Sequence, residues 1–412
     1  MQKIAIYAEK SSYYLLILFT LLLPLSRASN TIFSIYFTLY FFIYIAFHFK
    51  DCKIFRDRFF IITTIFILYT LASIGWNGIN GYQLGDATHY LQWIAIFGVA
   101  IFVTNHRDSV NSIISAFLIG MLISEILSYG MYFGLWEING KGASEPTPFM
   151  MHIDYSVYIA VAALILLNRV FSDRYNLKVR IIMAIFFITM SGNLFINGGR
   201  TGQVAFIIAI FVAFFLHFKF TIKNLLYAFA IVSLILTIAF YSSNKFQTKL
   251  KSASSDIQLL SKNDYESSWG RRVGMFKIAP DLIKEAPIFG SGINSQKEVV
   301  SKFINENNPS YFIKPTKEFL KKNHLHNQFL QTIVELGIVG LILLFTIFYT
   351  IFKFKILNKE FKELKYIFLT IFIIGCMPEP LFLKQFTNML FILFIGILFG
   401  LHLNNKEKKC IN

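Results

Sequence analysis

Twelve stretches of this chain run for close to twenty residues with almost no charge, a length matched to the ~30 Å hydrocarbon core of a bilayer. They fall near residues 12–26, 31–49, 59–76, 89–104, 112–134, 153–168, 181–197, 202–218, 224–242, 328–352, 366–383 and 386–403. The spacing predicts an all-α polytopic membrane protein of about 12 transmembrane helices. It also predicts three regions: helices 1–9 over 1–242, a long and partly helical outer loop over 243–325, and helices 10–12 with a cytoplasmic tail over 326–412. Pro24, Ser26 and Arg27 follow the first run without a small-x-small cleavage site, so that run is expected to stay as a helix.

A net charge of +16 suggests an anionic partner only until its location is read. With the N-terminus inside, 21 of the 39 Lys and Arg fall in short inner segments and tails. The short outer loops keep only Arg27, Lys141, Arg200 and Lys384. That asymmetry is the positive-inside signature and predicts both termini in the cytoplasm. The 243–325 loop holds the remaining 14 basic residues with 8 acids, and loops of that length cross largely regardless of charge. The charge is therefore topology, not a nucleic-acid footprint, and 47 Phe with 20 Tyr fit a lipid-facing surface. Cys52, Cys376 and Cys410 are scattered, without disulfide or thiolate-metal spacing. No P-loop, GxSxG, HExxH or dinucleotide fingerprint is present, and no internal repeat of the transporter kind.

Chemistry-bearing residues gather at the outer ends of the runs. Arg200, in Gly198-Gly199-Arg200-Thr201-Gly202, stands where the positive-inside rule disfavours it. Its planar guanidinium matches phosphate oxygens, and its permissive backbone allows close approach to a ligand; the plainer alternative is snorkelling to lipid phosphates. Arg271 and Arg272 open an amphipathic segment running to Glu285, where a helix start and two cations can hold phosphate. A solvated face is the competing reading. His326 can act as a base near neutral pH, while Asn327, Gln331 and Glu335 follow at spacing four as one polar stripe, or as glue between helices. Gly337 and Gly340 add a small-residue face for helix packing. His324 and His326 lack an acidic partner at ligand spacing, so no metal is expected. Glu125 lies inside a run without a nameable partner, and Pro378-Glu379-Pro380 reads as a structural kink.

Three of these motifs together resemble the O-antigen ligases, within the wider group of O-antigen ligases, O-antigen polymerases and protein O-oligosaccharyltransferases. They are His326-Asn327 followed after nine residues by Gly337-Ile338-Val339-Gly340, Arg200-Thr201-Gly202 at an outer helix mouth, and Arg272 to Phe276 leading to Pro287 and Gly290. Phe276 stands where many members have Trp or Tyr. The resemblance implies a cofactor-free, metal-independent glycosyltransferase, similar to membrane-embedded GT-C-like enzymes, in the bacterial inner membrane. It would take polysaccharide from undecaprenyl pyrophosphate and place it on a lipid A-core hydroxyl at the periplasmic face. Arg200 and Arg272 would hold the pyrophosphate and His326 would act on the acceptor hydroxyl, with Arg271, Asn327 and Glu335 in support. A polymerase extending lipid-linked glycan is the alternative. Protein glycan transferases, usually longer at the C-terminus, and a non-catalytic glycolipid transporter or flippase stand further back.

Overall fold

Each apolar run becomes helix, and the joints between runs carry residues whose side chains satisfy free backbone N–H groups. The computed structural model describes residues 2–49, 53–76 and 81–409, with side chains described for 12–49, 54–76 and 84–405. Lys50, Cys52 and Cys410 lie outside the described residues. In chain order the helices are α1 (Gln2–Leu22), α2 (Arg27–His48), α3 (Arg58–Ala72), α4 (Gly81–Leu91), α5 (Ile94–Asn105) and α6 (Val110–Tyr132). Next come α7 (His152–Val170), α8 (Leu177–Ile196), α9 (Arg200–His217) and α10 (Ile222–Ser242). Four helices follow in the region expected as a loop: α11 (Asn244–Ser261), α12 (Ser268–Glu285), α13 (Gln296–Asn307) and α14 (Lys314–Lys322). The chain ends with α15 (Gln328–Phe352), α16 (Lys359–Cys376) and α17 (Gln385–Lys409). Ser26, Asp57, Asn176, Thr221, Ser243, Ser267, Asn327 and Asn358 each cap the helix that follows, which explains why breaks fall at these polar residues.

Ten helices among the described residues are long and apolar enough to cross a membrane, against the twelve spans expected. The difference has two sources. In α1 the apolar stretch with described side chains is only Ser12–Leu22. The first turns of α16 carry Lys359, Glu360, Lys362, Glu363 and Lys365, so too little of it is uncharged. The run expected at 89–104 takes in the end of α4 and all but the last residue of α5, broken at Gln92–Trp93. Among the described residues no strand forms, and the protein is an all-α polytopic membrane protein. At its centre α17 packs on α5 and α7 packs on α8 and α9, with Met389 to Ile395 buried without interruption. A second, smaller core joins α12, α13 and α14 to the start of α15 through Met275, Ile278, Val300, Phe312, Leu320 and Val334.

The joint between these two cores is a broken helix. Gly337 takes φ 64° inside α15, so the carbonyls before it lose their usual partners two turns into the helix. The segment Pro287–Gly292 replaces them. Ser291 N–H donates to the Val334 carbonyl (3.0 Å) and Gly292 N–H to that of Glu335 (2.8 Å), while Ile338 N–H donates back to Pro287 (2.9 Å). Tyr69 of α3 donates its hydroxyl to the carbonyls of Leu336 (2.9 Å) and Phe289 (3.1 Å). A Cβ on Gly337 would meet the Ile288 oxygen at 2.2 Å, so glycine is required there by contact as well as by φ. The sequence reading of Gly337 as a helix-packing face is thus replaced by a backbone-to-backbone seam.

Candidate functional site

The first turn of α9 lies directly on α7. A Cβ on Gly199 would come within 2.3 Å of the His152 carbonyl oxygen, and one on Gly202 within 2.2 Å of the Ser156 backbone. Gly202 N–H donates to Ser156 Oγ (3.0 Å) and Gly199 N–H to Asn197 Oδ1 (2.8 Å). The glycines that sequence reading assigned to ligand approach therefore serve the approach of α9 to α7. Their effect is to hold Arg200 at the edge of a cavity of about 310 Å³. Arg272 lines the same cavity, with His152, Lys249, Ser252 and Ser268. Asp256 is the one acid in its lining. Arg200 Nη2 also donates to the Lys249 carbonyl (3.2 Å).

The adjacent arginines of α12 part company, as neighbours on a helix must. Arg271 faces Glu266 (3.6 Å) and lies 4.7 Å over the Phe319 ring, outside the cavity. Arg272 donates to Glu379 Oε1 at 2.8 Å. Glu379, in the turn beyond α16, is completely buried. Around its carboxylate stand His326 Nδ1 (3.3 Å), His324 Nε2 (3.7 Å) and Lys384 Nζ (3.8 Å). A carboxylate out of water needs such partners, because desolvation of an unpaired ion costs several kcal/mol. Pro378 and Pro380 set this turn, and Gln328 of α15 steadies it by accepting the Phe382 N–H (3.0 Å).

His326 sits with φ 50°, its ring 6.0 Å from Phe319 at an interplanar angle of 3°. With Nδ1 directed at a carboxylate, the proton belongs on Nδ1 and the lone pair on Nε2. That Nε2 is buried and has no hydrogen-bond partner. The neighbouring His324 accepts the His326 N–H through its own Nδ1 (3.1 Å). Burial, then the neighbouring His326, pulls its pKa down to about 3 against the opposing pull of Glu379, so it is neutral near pH 7.

The remaining residues take structural places. Asn327 is the cap of α15, accepting the N–H groups of Phe329 (2.8 Å) and Leu330 (3.0 Å), so it stands outside the helix face that the spacing assigned to it. Gln331 donates to Glu335 Oε1 (2.6 Å) and accepts the Leu325 N–H (3.1 Å). Both are buried, and neither touches the Glu379 cluster. Glu125 is buried on α6, apart from the cavity.

Glu379 also corrects the expectation about metal ligands. His324, His326 and Glu379 offer three donor atoms within 4.8 Å of one another, an acidic partner supplied from 53 residues downstream. Arg272 and Lys384 face the same carboxylate and compete with any cation for it. Sequence reasoning set Glu379 aside as a kink; its only signal was an acid held between two prolines at the end of an apolar run.

Comparison with known proteins bears on this arrangement. Residues 185–345 match the family described as O-Antigen ligase, a segment that contains Arg200, Arg272 and His326 and stops short of Glu379. A Haemophilus influenzae protein, itself named only as uncharacterized, is 31% identical over 240 residues. That match covers 56% of this chain and 58% of the relative, less than two thirds of its length. The segment of this chain that is similar to the O-antigen ligase family thus carries both cavity arginines and the carboxylate-held histidine.

Proposed function

We propose that this protein is an O-antigen ligase of the bacterial inner membrane, moving polysaccharide from undecaprenyl pyrophosphate to a lipid A-core hydroxyl on the periplasmic side. The observation that carries the reading is the line Arg272–Glu379–His326, which joins a phosphate-sized cationic cavity to a histidine with a free nitrogen. Both termini are then cytoplasmic, and α11–α14 with the start of α15 form the periplasmic layer. The polar cluster at one end of the helices supports an enzyme over a flippase, whose ionisable groups belong near mid-membrane.

In this mechanism Glu379 holds His326 so that Nε2 takes the proton from the acceptor hydroxyl. The hydroxyl oxygen attacks the anomeric carbon of the donor, the bond from that carbon to the pyrophosphate oxygen breaks, and undecaprenyl pyrophosphate leaves. Arg200 and Arg272 meet the negative charge that grows on the leaving oxygen, an interaction strongest in the transition state. Pyrophosphate is a good leaving group without nucleotide energy.

The test is a lipopolysaccharide gel ladder in a ligase-null host, with lipid-linked glycan followed in parallel. The native chain restores long glycan on lipid A-core; His326→Ala and Arg272→Ala at equal membrane abundance do not. Lengthening of lipid-linked glycan in a polymerase-null host, with no ligation, would assign the polymerase reading instead.

A further inference from the structure

At the end of the helices opposite the site, α3 and α15 meet around a second polar cavity. α3 begins at Arg58 there and ends beside Ser73, whose hydroxyl accepts the Ile293 N–H (3.1 Å) on the site side. α15 begins at Gln328 near Glu379 and finishes at Phe352. Between their far ends lies a cavity of about 410 Å³. Arg56, Arg58, Lys353 and Lys355 line it, all four exposed and none with an acidic partner among the described residues. Its single acid, Asp57, is buried and committed: Oδ1 accepts the Phe59 N–H (2.9 Å) and Oδ2 lies 3.4 Å from His402 Nε2. His402 Nδ1 in turn accepts the Lys355 N–H (2.9 Å), which fixes the backbone carrying two of the cations.

The apolar part of the lining points to what the cations receive. Phe59, Tyr349 and Phe354 wall the cavity, and Tyr349 also borders an apolar groove of about 690 Å³ between α9, α15 and α16. The outward face of α15 above it, Ile342, Phe345, Tyr349 and Phe352, is exposed along its length, as a lipid-facing stripe is. Cations that only snorkel spread along helix ends; here four from two separate chain segments surround one recess that opens onto acyl-chain surface. We propose that this recess seats the phosphate headgroup of an anionic membrane phospholipid, with an acyl chain lying in the adjoining groove. Basic pockets between helix ends recognise such headgroups by charge.

The experiment measures lipid binding to the full-length protein in detergent by native mass spectrometry, using phosphatidylglycerol, phosphatidylcholine and glycerol 3-phosphate. Phosphatidylglycerol is expected to bind one-to-one and phosphatidylcholine weakly. Arg58→Gln with Lys353→Gln should weaken phosphatidylglycerol binding more than tenfold, about fivefold per cation. Lys219→Gln with Lys223→Gln, at the same end but outside the cavity, should leave it unchanged. Arg56→Gln with Lys355→Gln provides a second pair should the first melt early in phosphatidylcholine. Equal binding by both cavity pairs and the native chain would overturn the proposal, as would glycerol 3-phosphate binding as tightly as the lipid.

Discussion

A completely buried carboxylate facing four groups that can carry positive charge is the residue-scale feature on which the rest of the site depends. Glu379 orients His326 and compensates Arg272 with one oxygen, so replacing it disturbs the histidine and the arginine together. Glu379→Gln keeps the volume and removes the charge; the expected loss of glycan transfer is about 10²–10³-fold, the range for a misplaced general base. Transfer assays on membranes of equal protein content check it, and an unchanged rate would remove Glu379 from the chemistry. Arg200, Arg272 and His326 were legible in sequence because fixed charge and a neutral-range base stand out at the mouths of apolar runs. Glu379 was not, because a Pro-Glu-Pro break has a sufficient structural explanation and 53 residues of separation say nothing about contact. Asn327 was misplaced for a different reason: a helix cap and the first residue of a helix face share the same spacing to Gln331.

At the scale of elements, length made the apolar helices readable, since few alternatives satisfy backbone hydrogen bonds in lipid. The layer of α11 to α14 was harder. The Ser- and Lys-rich stretch from Ser252 reads as a polar lead-in, yet it continues a helix that Ser243 caps, and α14 is too short to show a period securely. The seam at Gly337 was hidden altogether, because a glycine inside a long apolar run is compatible with unbroken helix. Two substitutions separate its parts. Gly134→Ala meets nothing within 4 Å but takes φ 73°, so it should cost only the left-handed penalty of about 1 kcal/mol. Gly337→Ala adds the clash with Ile288 and should cost clearly more, with transfer activity lost alongside. Thermal melting of the two variants checks the order, and equal melting temperatures would mean that the seam yields.

For the molecule as a whole, acid should loosen the fold through His324. Its pKa is depressed when folded, to about 3, and returns towards 6.5 when the chain unfolds, so below pH 6.5 the unfolded state binds the extra proton. The stabilising difference is complete above that pH and drains away as pH falls towards 3. Melting curves of the native chain and His324→Gln should converge with falling pH, and parallel curves would contradict this. Hydrophobicity alone counts α16 as a span from its apolar half, while its charged opening turns keep it out of the ten helices among the described residues that are long and apolar enough to cross a membrane.

The four side chains of the proposed site come from separate stretches: Arg200 from α9, Arg272 from α12, His326 from the turn before α15, and Glu379 from the turn after α16. Synthesis therefore delivers the two arginines and the histidine well before the carboxylate that joins them. Until the ribosome has passed Glu379 and the turn has docked on Gln328, the nascent chain carries both arginines but has nothing to orient His326. The carboxylate that joins Arg272 to His326 thus arrives only after both of its partners, and before the central helix α17.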